Sequence, residues 1–315
     1  MGVCAIGILI CHVTQIVQLS GLLRFIVSLG NYGVEGFMFL SGIGLHQSLL
    51  KKNYSLTRWY ARRLERVFSP YLILAIPYWA FFSFLHHQGA LEFLKGVFFI
   101  TFYTEHKGFW FVAAILPIYF MAPMYVYLYE KCKEMHLKLM FTALITGTLL
   151  MFSITENNAP RELLWNIRWC CGKIAPFFVG VFFLDLILIG KRVNIMVHTL
   201  TSIILFGILT ILPVTRNISW WWILVYPAFI FICCLVDQAK WIGLKTFLDF
   251  MGSISLESYM VNGVLIESFK CLRTCFPALQ GNGAGIIVYV GIIVILGTLL
   301  CIPYSKLTQR MRAIS

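Results

Sequence analysis

Residues 58–66 read Arg58-Trp59-Tyr60-Ala61-Arg62-Arg63-Leu64-Glu65-Arg66, and the nineteen that follow, 67–85, read VFSPYLILAIPYWAFFSFL, without one Asp, Glu, Lys, Arg or His. About 20 apolar residues at about 1.5 Å rise each match the hydrocarbon thickness of a bilayer. A basic cluster that gives way at once to such a run reads as a cytoplasmic loop entering a membrane span. The pattern recurs along the chain, and spans are expected near 2–19, 32–50, 67–85, 108–129, 138–155, 170–190, 195–213, 220–237, 253–270 and 284–303. The expected fold class is all-α: a polytopic transmembrane helical bundle of about ten spans, one integral-membrane domain over 1–315 with no appended soluble domain. The run 91–103 is too short to cross and is interrupted by Lys95, so it is expected to be a short re-entrant or interfacial helix.

Composition leads to the same class. Sixty per cent of the 315 residues are hydrophobic, 12% are charged, and the mean hydropathy is +0.84, too apolar for a water-soluble domain of this length. The net charge of +12 does not mark a nucleic-acid binder, because the basic residues lie in short loops between apolar runs rather than on a soluble module. Sixteen of the 25 Lys and Arg residues fall on one side of the expected bundle, at 51–66, 131–138, 191–192, 240–245 and 306–312. That side should be cytoplasmic, with both termini inside, in the cell's inner (plasma) membrane. The ten cysteines show no CxxC pair and no metal-ligand spacing; most lie in apolar runs and read as buried reduced thiols. The first nineteen residues lack a basic leader and a small-residue cleavage site, so they read as a span rather than a signal peptide.

Polar residues inside the apolar runs are the candidates for chemistry. His12 lies about ten residues into the first span, near the bilayer midplane. An imidazole there is either a general base or acyl-transfer partner, or a packing histidine bonded to a neighbour. Glu35 stands among Gly30, Gly33 and Gly36, which allow close helix approach; it is a carboxylate able to orient an imidazole, or an interfacial acid wetted from outside. Ser41 precedes Gly42 in the same span and reads first as a packing residue. Arg62, Arg63 and Arg66 form a compact basic cluster suited to phosphates, or anchor the loop on anionic lipid. Trp110 opens the fourth span, which Pro117 and Pro123 should kink, and Glu257, Tyr259 and Asn262 lie early in the ninth.

The order of these features resembles the acyltransferase 3 family of membrane O-acyltransferases, which acylate bacterial surface glycans. His12 stands at the family's first-span histidine. Gly33-Val34-Glu35-Gly36-Phe37-Met38-Phe39-Leu40-Ser41-Gly42 is similar to its second-span motif, Arg62-Arg63-Leu64-Glu65-Arg66 through Pro70 to its basic inner loop, and Ser255-Leu256-Glu257-Ser258-Tyr259-Met260-Val261 to its late motif. Two positions depart: the family's first-span arginine falls on Met1, and its late histidine on Asn262. The resemblance implies an acyl-CoA donor, acetyl-CoA, held from the cytoplasm by Arg62, Arg63 and Arg66. It implies catalysis by His12 with Glu35, and a substrate tunnel lined by Ser41, Trp110 and Tyr259. The acceptor would be a hydroxyl of a glycan or lipid-linked saccharide, within the lipid bilayer, with no metal and no nucleic acid. The rival class is a polytopic transporter or permease, which should show inverted repeats; no matched halves stand out.

Overall fold

In lipid a backbone must satisfy its own hydrogen bonds, and an α-helix does so within one segment. In the computed structural model of the chain, every regular element among the described residues is helical. The structure describes residues 1–13, 19–51, 55–104, 108–154, 161–190, 242–275 and 299–306, with Ile204 and Gly297. The helices are α1 (Gly2–Val13), α2 (Gly21–Ser28), α3 (Gly33–Leu50), α4 (Leu56–Leu85), α5 (Ala90–Val97) and α6 (Ile100–Thr104). They continue with α7 (Trp110–Lys131), α8 (Met135–Ile154), α9 (Arg161–Leu188), α10 (Ile242–Ser253) and α11 (Ser255–Cys275); a 3-10 turn, Leu29–Tyr32, joins α2 to α3, and residues 299–306 are helical.

Four of these segments are long and apolar enough to cross a membrane: α4, α7, Met135–Ser153 of α8 and Asn166–Leu188 of α9. Phe84, Phe120, Met140 and Leu188 stand exposed on them, as on helices solvated by lipid. α3 occupies the expected second span, but Glu35, His46 and Gln47 keep it less apolar than those four. The spans expected near 195–213, 220–237 and 284–303 lie almost wholly outside the described residues, as do residues 14–18 of the first.

The basic segment before residue 67 is not a loop. It is the first third of α4, built from the helix formers of Arg62-Arg63-Leu64-Glu65-Arg66. At 30 residues α4 is about 45 Å long against an apolar core of about 30 Å, so its arginine end extends beyond the hydrocarbon. Pro70 and Pro77 lie inside it, each removing one backbone hydrogen bond. The Tyr304 phenol donates to the Pro70 carbonyl. The expected single helix over 91–103 is two, α5 and α6, separated where Phe99 takes a left-handed φ of 64°. Tyr71 caps the first: its hydroxyl donates to the Val97 carbonyl at 2.8 Å and approaches that of Gly96, which also accepts the Phe99 N–H, at 3.3 Å. Phe99 then stacks on Tyr71 with ring centroids 4.4 Å apart.

The helices sort into two compact units. The first comprises Met1–Gly33, Thr57–Ala113 and Leu248–Ser315. In it α1 buries Cys4, Ala5, Ile8 and Leu9 and packs on the 3-10 turn and α11. Gly30 and Gly33 lie against the α1 backbone at Gly7 and Cys4, leaving no room for a side chain. The second unit comprises Val34–Leu56 and Ala114–Phe247. There α8 packs on α9, and α9 also meets α3 backbone to backbone: a Cβ on Gly42 would strike the Phe177 carbonyl, and one on Gly180 the Phe39 carbonyl.

Candidate functional site

Three of the singled-out sequence segments meet in the first unit. His12, half-buried at the end of α1, lies 6.5 Å ring to ring from Tyr259 of α11, with the planes tilted by 48°. The Tyr259 hydroxyl accepts the backbone N–H of Phe111 at 3.3 Å, and the Tyr259 ring meets the Phe111 ring edge-on at 5.6 Å. Phe111 is the second residue of α7, where the first N–H groups have no partner within the helix. Tyr259 fills one of those places, so it fastens the entrance of α7, beside Trp110, to the helix that carries the late motif. Asn262 turns to its own helix, its amide donating to the Ser258 carbonyl at 2.9 Å. Arg62 and Arg66 are exposed and Arg63 half-buried on α4, with the Arg63 guanidinium 5.7 Å from the Trp59 ring centroid.

Glu35 and Ser41 belong to the second unit. Ser41 is half-buried on α3. Glu35 is buried and ion-paired, accepting from Lys173 of α9 at 2.6 Å, with each side chain only 3% exposed. Lys173 entered the sequence reading only as a positive charge to be counted. It lies near the start of the apolar run expected over 170–190, where a lysine can either orient the chain or pair with a buried acid.

A second polar assembly, absent from the sequence reading, joins four helices at the other end of this unit. His46 of α3 is fully buried; its Nδ1 lies 2.9 Å from the Val181 carbonyl and its Nε2 3.0 Å from Glu130 Oε1. Lys138 of α8 donates to Glu130 at 3.1 Å and to Asp185 of α9 at 2.7 Å, and the Tyr129 hydroxyl donates to Asp185 at 2.9 Å. Both ring nitrogens of His46 therefore have an oxygen partner from another helix, and the Lys138 ammonium bridges the two carboxylates. His46, Glu130 and Asp185 also offer three ligand atoms within 4.8 Å of one another, the donor types that hold transition metals. Lys138 already reaches both carboxylates, so the chain itself supplies the positive charge that a metal would bring. Asp185, in the middle of Phe183-Leu184-Asp185-Leu186, was the readable signal for this cluster.

A family model described as an acyltransferase domain matches residues 2–306. The chain belongs to the acyltransferase 3 family. The match runs through both units and contains His12, Glu35, Ser41, Arg62, Arg63, Arg66, Trp110 and Tyr259. No curated protein and no solved structure matches the chain significantly. An acyltransferase 3 chain with four apolar spans among its described helices is a membrane protein carrying an acyltransferase domain.

Proposed function

We propose that this acyltransferase 3 protein moves an acetyl group from acetyl-CoA, bound at the basic face, to a hydroxyl of a glycan or lipid-linked saccharide of the cell envelope. His12 takes the proton from the attacking hydroxyl as general base. Arg62, Arg63 and Arg66 hold the CoA phosphates at the end of α4 that extends beyond the hydrocarbon. The observation that carries this reading is the junction of His12, Tyr259 and the Trp110-Phe111 entrance of α7. It joins an imidazole, a phenol and aromatic surface contributed by three distant stretches of chain, in a family that transfers acyl groups.

The test is transfer of radiolabelled acetyl from acetyl-CoA in everted membrane vesicles. His12→Ala should abolish transfer while the protein still inserts at the wild-type level; full activity in that variant would overturn the assignment. Arg63→Ala with Arg66→Ala should raise KM for acetyl-CoA. An unchanged KM would leave the arginines as a topology anchor.

A further inference from the structure

Lys173 of α9 links the Glu35 carboxylate of α3 to the Trp169 ring of its own helix. Lys173 fixes Glu35 Oε1, whereas Glu35 Oε2 is buried and makes no hydrogen bond. On α9, Asn166, Trp169 and Lys173 fall at positions i, i+3 and i+7, along one face of the helix. The Lys173 ammonium lies 5.8 Å from the Trp169 ring centroid, and Asn166 is 5% exposed. An amide, an indole face, an ammonium and a carboxylate thus stand within two turns of one helix and its neighbour.

Stability does not account for this set. Desolvation offsets most of the attraction in a buried ion pair, and an apolar pair of similar volume is often as stable or more so. A buried charged oxygen without a donor carries a further penalty, which a hydroxyl hydrogen would remove. Lys173 engages one oxygen of the carboxylate and leaves the acceptor capacity of Oε2 unused. An aromatic face beside a few placed polar groups is how ligand sites hold a ring that is apolar on its faces and hydroxylated at its edge.

We infer that Glu35 Oε2 receives a hydrogen bond from a hydroxyl of a polyhydroxylated ligand whose ring lies on Trp169, with Lys173 as the positioning residue. This rests on the acyl-transfer reading, in which that ligand is the acceptor.

The experiment uses the full chain in everted vesicles, which contain their own acceptors, with [14C]acetyl-CoA as the probe. E35L/K173M removes both charges together, W169A removes the aromatic face, and W169F keeps a ring beside Lys173 while changing its shape. E35L/K173M should melt no lower than wild type and keep its KM for acetyl-CoA, yet incorporate label at least about tenfold more slowly, the loss of one charge-assisted hydrogen bond. W169A should fall similarly, and W169F should restore transfer. Wild-type incorporation by E35L/K173M would overturn the inference, because the pair would then only pack or hold a water. If that double variant does not fold, wild-type incorporation by W169A would overturn it instead. Label missing from wild-type vesicles would overturn the acyl-transfer reading and this inference with it, whereas label in wild type and variants alike would overturn the inference alone.

Discussion

A lysine inside a helical bundle needs an anion within reach, and Lys173 has Glu35 at 2.6 Å. Removing one partner of such a pair is far more harmful than removing both, because the survivor keeps its desolvation cost and loses its neutraliser. K173M alone should therefore destabilise the protein by about 3–5 kcal/mol, and adding E35L should recover it in full. Thermal melting of the detergent-solubilised protein reads both; equal melting of K173M and wild type would show that the pair is not buried as described. The two residues were unequally legible in the sequence. Glu35 stood out because glycines surround it within a motif. Lys173 did not, because a lysine near a span end is also what orients a membrane protein, and one sequence does not separate the two roles. The same ambiguity hid Lys138, whose partners Glu130 and Asp185 come from other helices.

The unit of packing between helices is the residue that leaves space. α3 and α9 touch through Gly42 and Gly180, where an added Cβ would meet a backbone carbonyl of the other helix, whereas Gly44, two residues along α3, has open space around it. G42A and G180A should each cost about 1–3 kcal/mol by forcing the helices apart. G44A should be neutral or slightly stabilising, because alanine is the better helix former. Melting of the three variants checks the contact, and equal effects at Gly42 and Gly44 would refute it. The His46–Glu130–Lys138–Asp185 assembly closes the same helices at their far end, about 16 Å along α3 from Glu35. K138M should cost less than K173M, about 1–2 kcal/mol, because Glu130 is open to solvent and keeps His46. Helix existence was readable from composition, and so was the close approach at Gly30 and Gly33. Which helix each glycine meets was not, since spacing names a face and not its neighbour. The boundaries of α4 and α9 were misread for a related reason. Hydropathy reports where the chain is apolar, and both helices run on past that point into polar residues that favour helix equally well.

Across the whole chain, the orientation turns on whether the stretch between α4 and α7 crosses the membrane. α5 has eight residues and α6 five, about 12 Å and 8 Å of helix against a core of about 30 Å, so neither can span. Leu85 and Trp110 are then expected on one side of the bilayer, and the ends of α3 and α7 on the other. The second unit argues the same point without counting charges. Its ionic assembly draws together His46 near the end of α3, Glu130 near the end of α7, Lys138 at the start of α8 and Asp185 near the end of α9. Lys51, Lys131 and Lys133, which adjoin those ends, are then expected on one face, and a Lys-rich face should be the cytoplasmic one. A green fluorescent reporter should accordingly fluoresce when fused after Lys51 and after Lys133, and alkaline phosphatase should be active when fused after His87 and inactive after Lys133. Phosphatase activity after Lys133 would mean that residues 90–104 cross after all. The arginines of α4 would keep their side in that case, but α7 and α9 would be inverted relative to α3, which the shared contacts of His46, Glu130 and Asp185 do not permit. The fusion at Lys133 therefore tests the topology and the ionic assembly in one measurement.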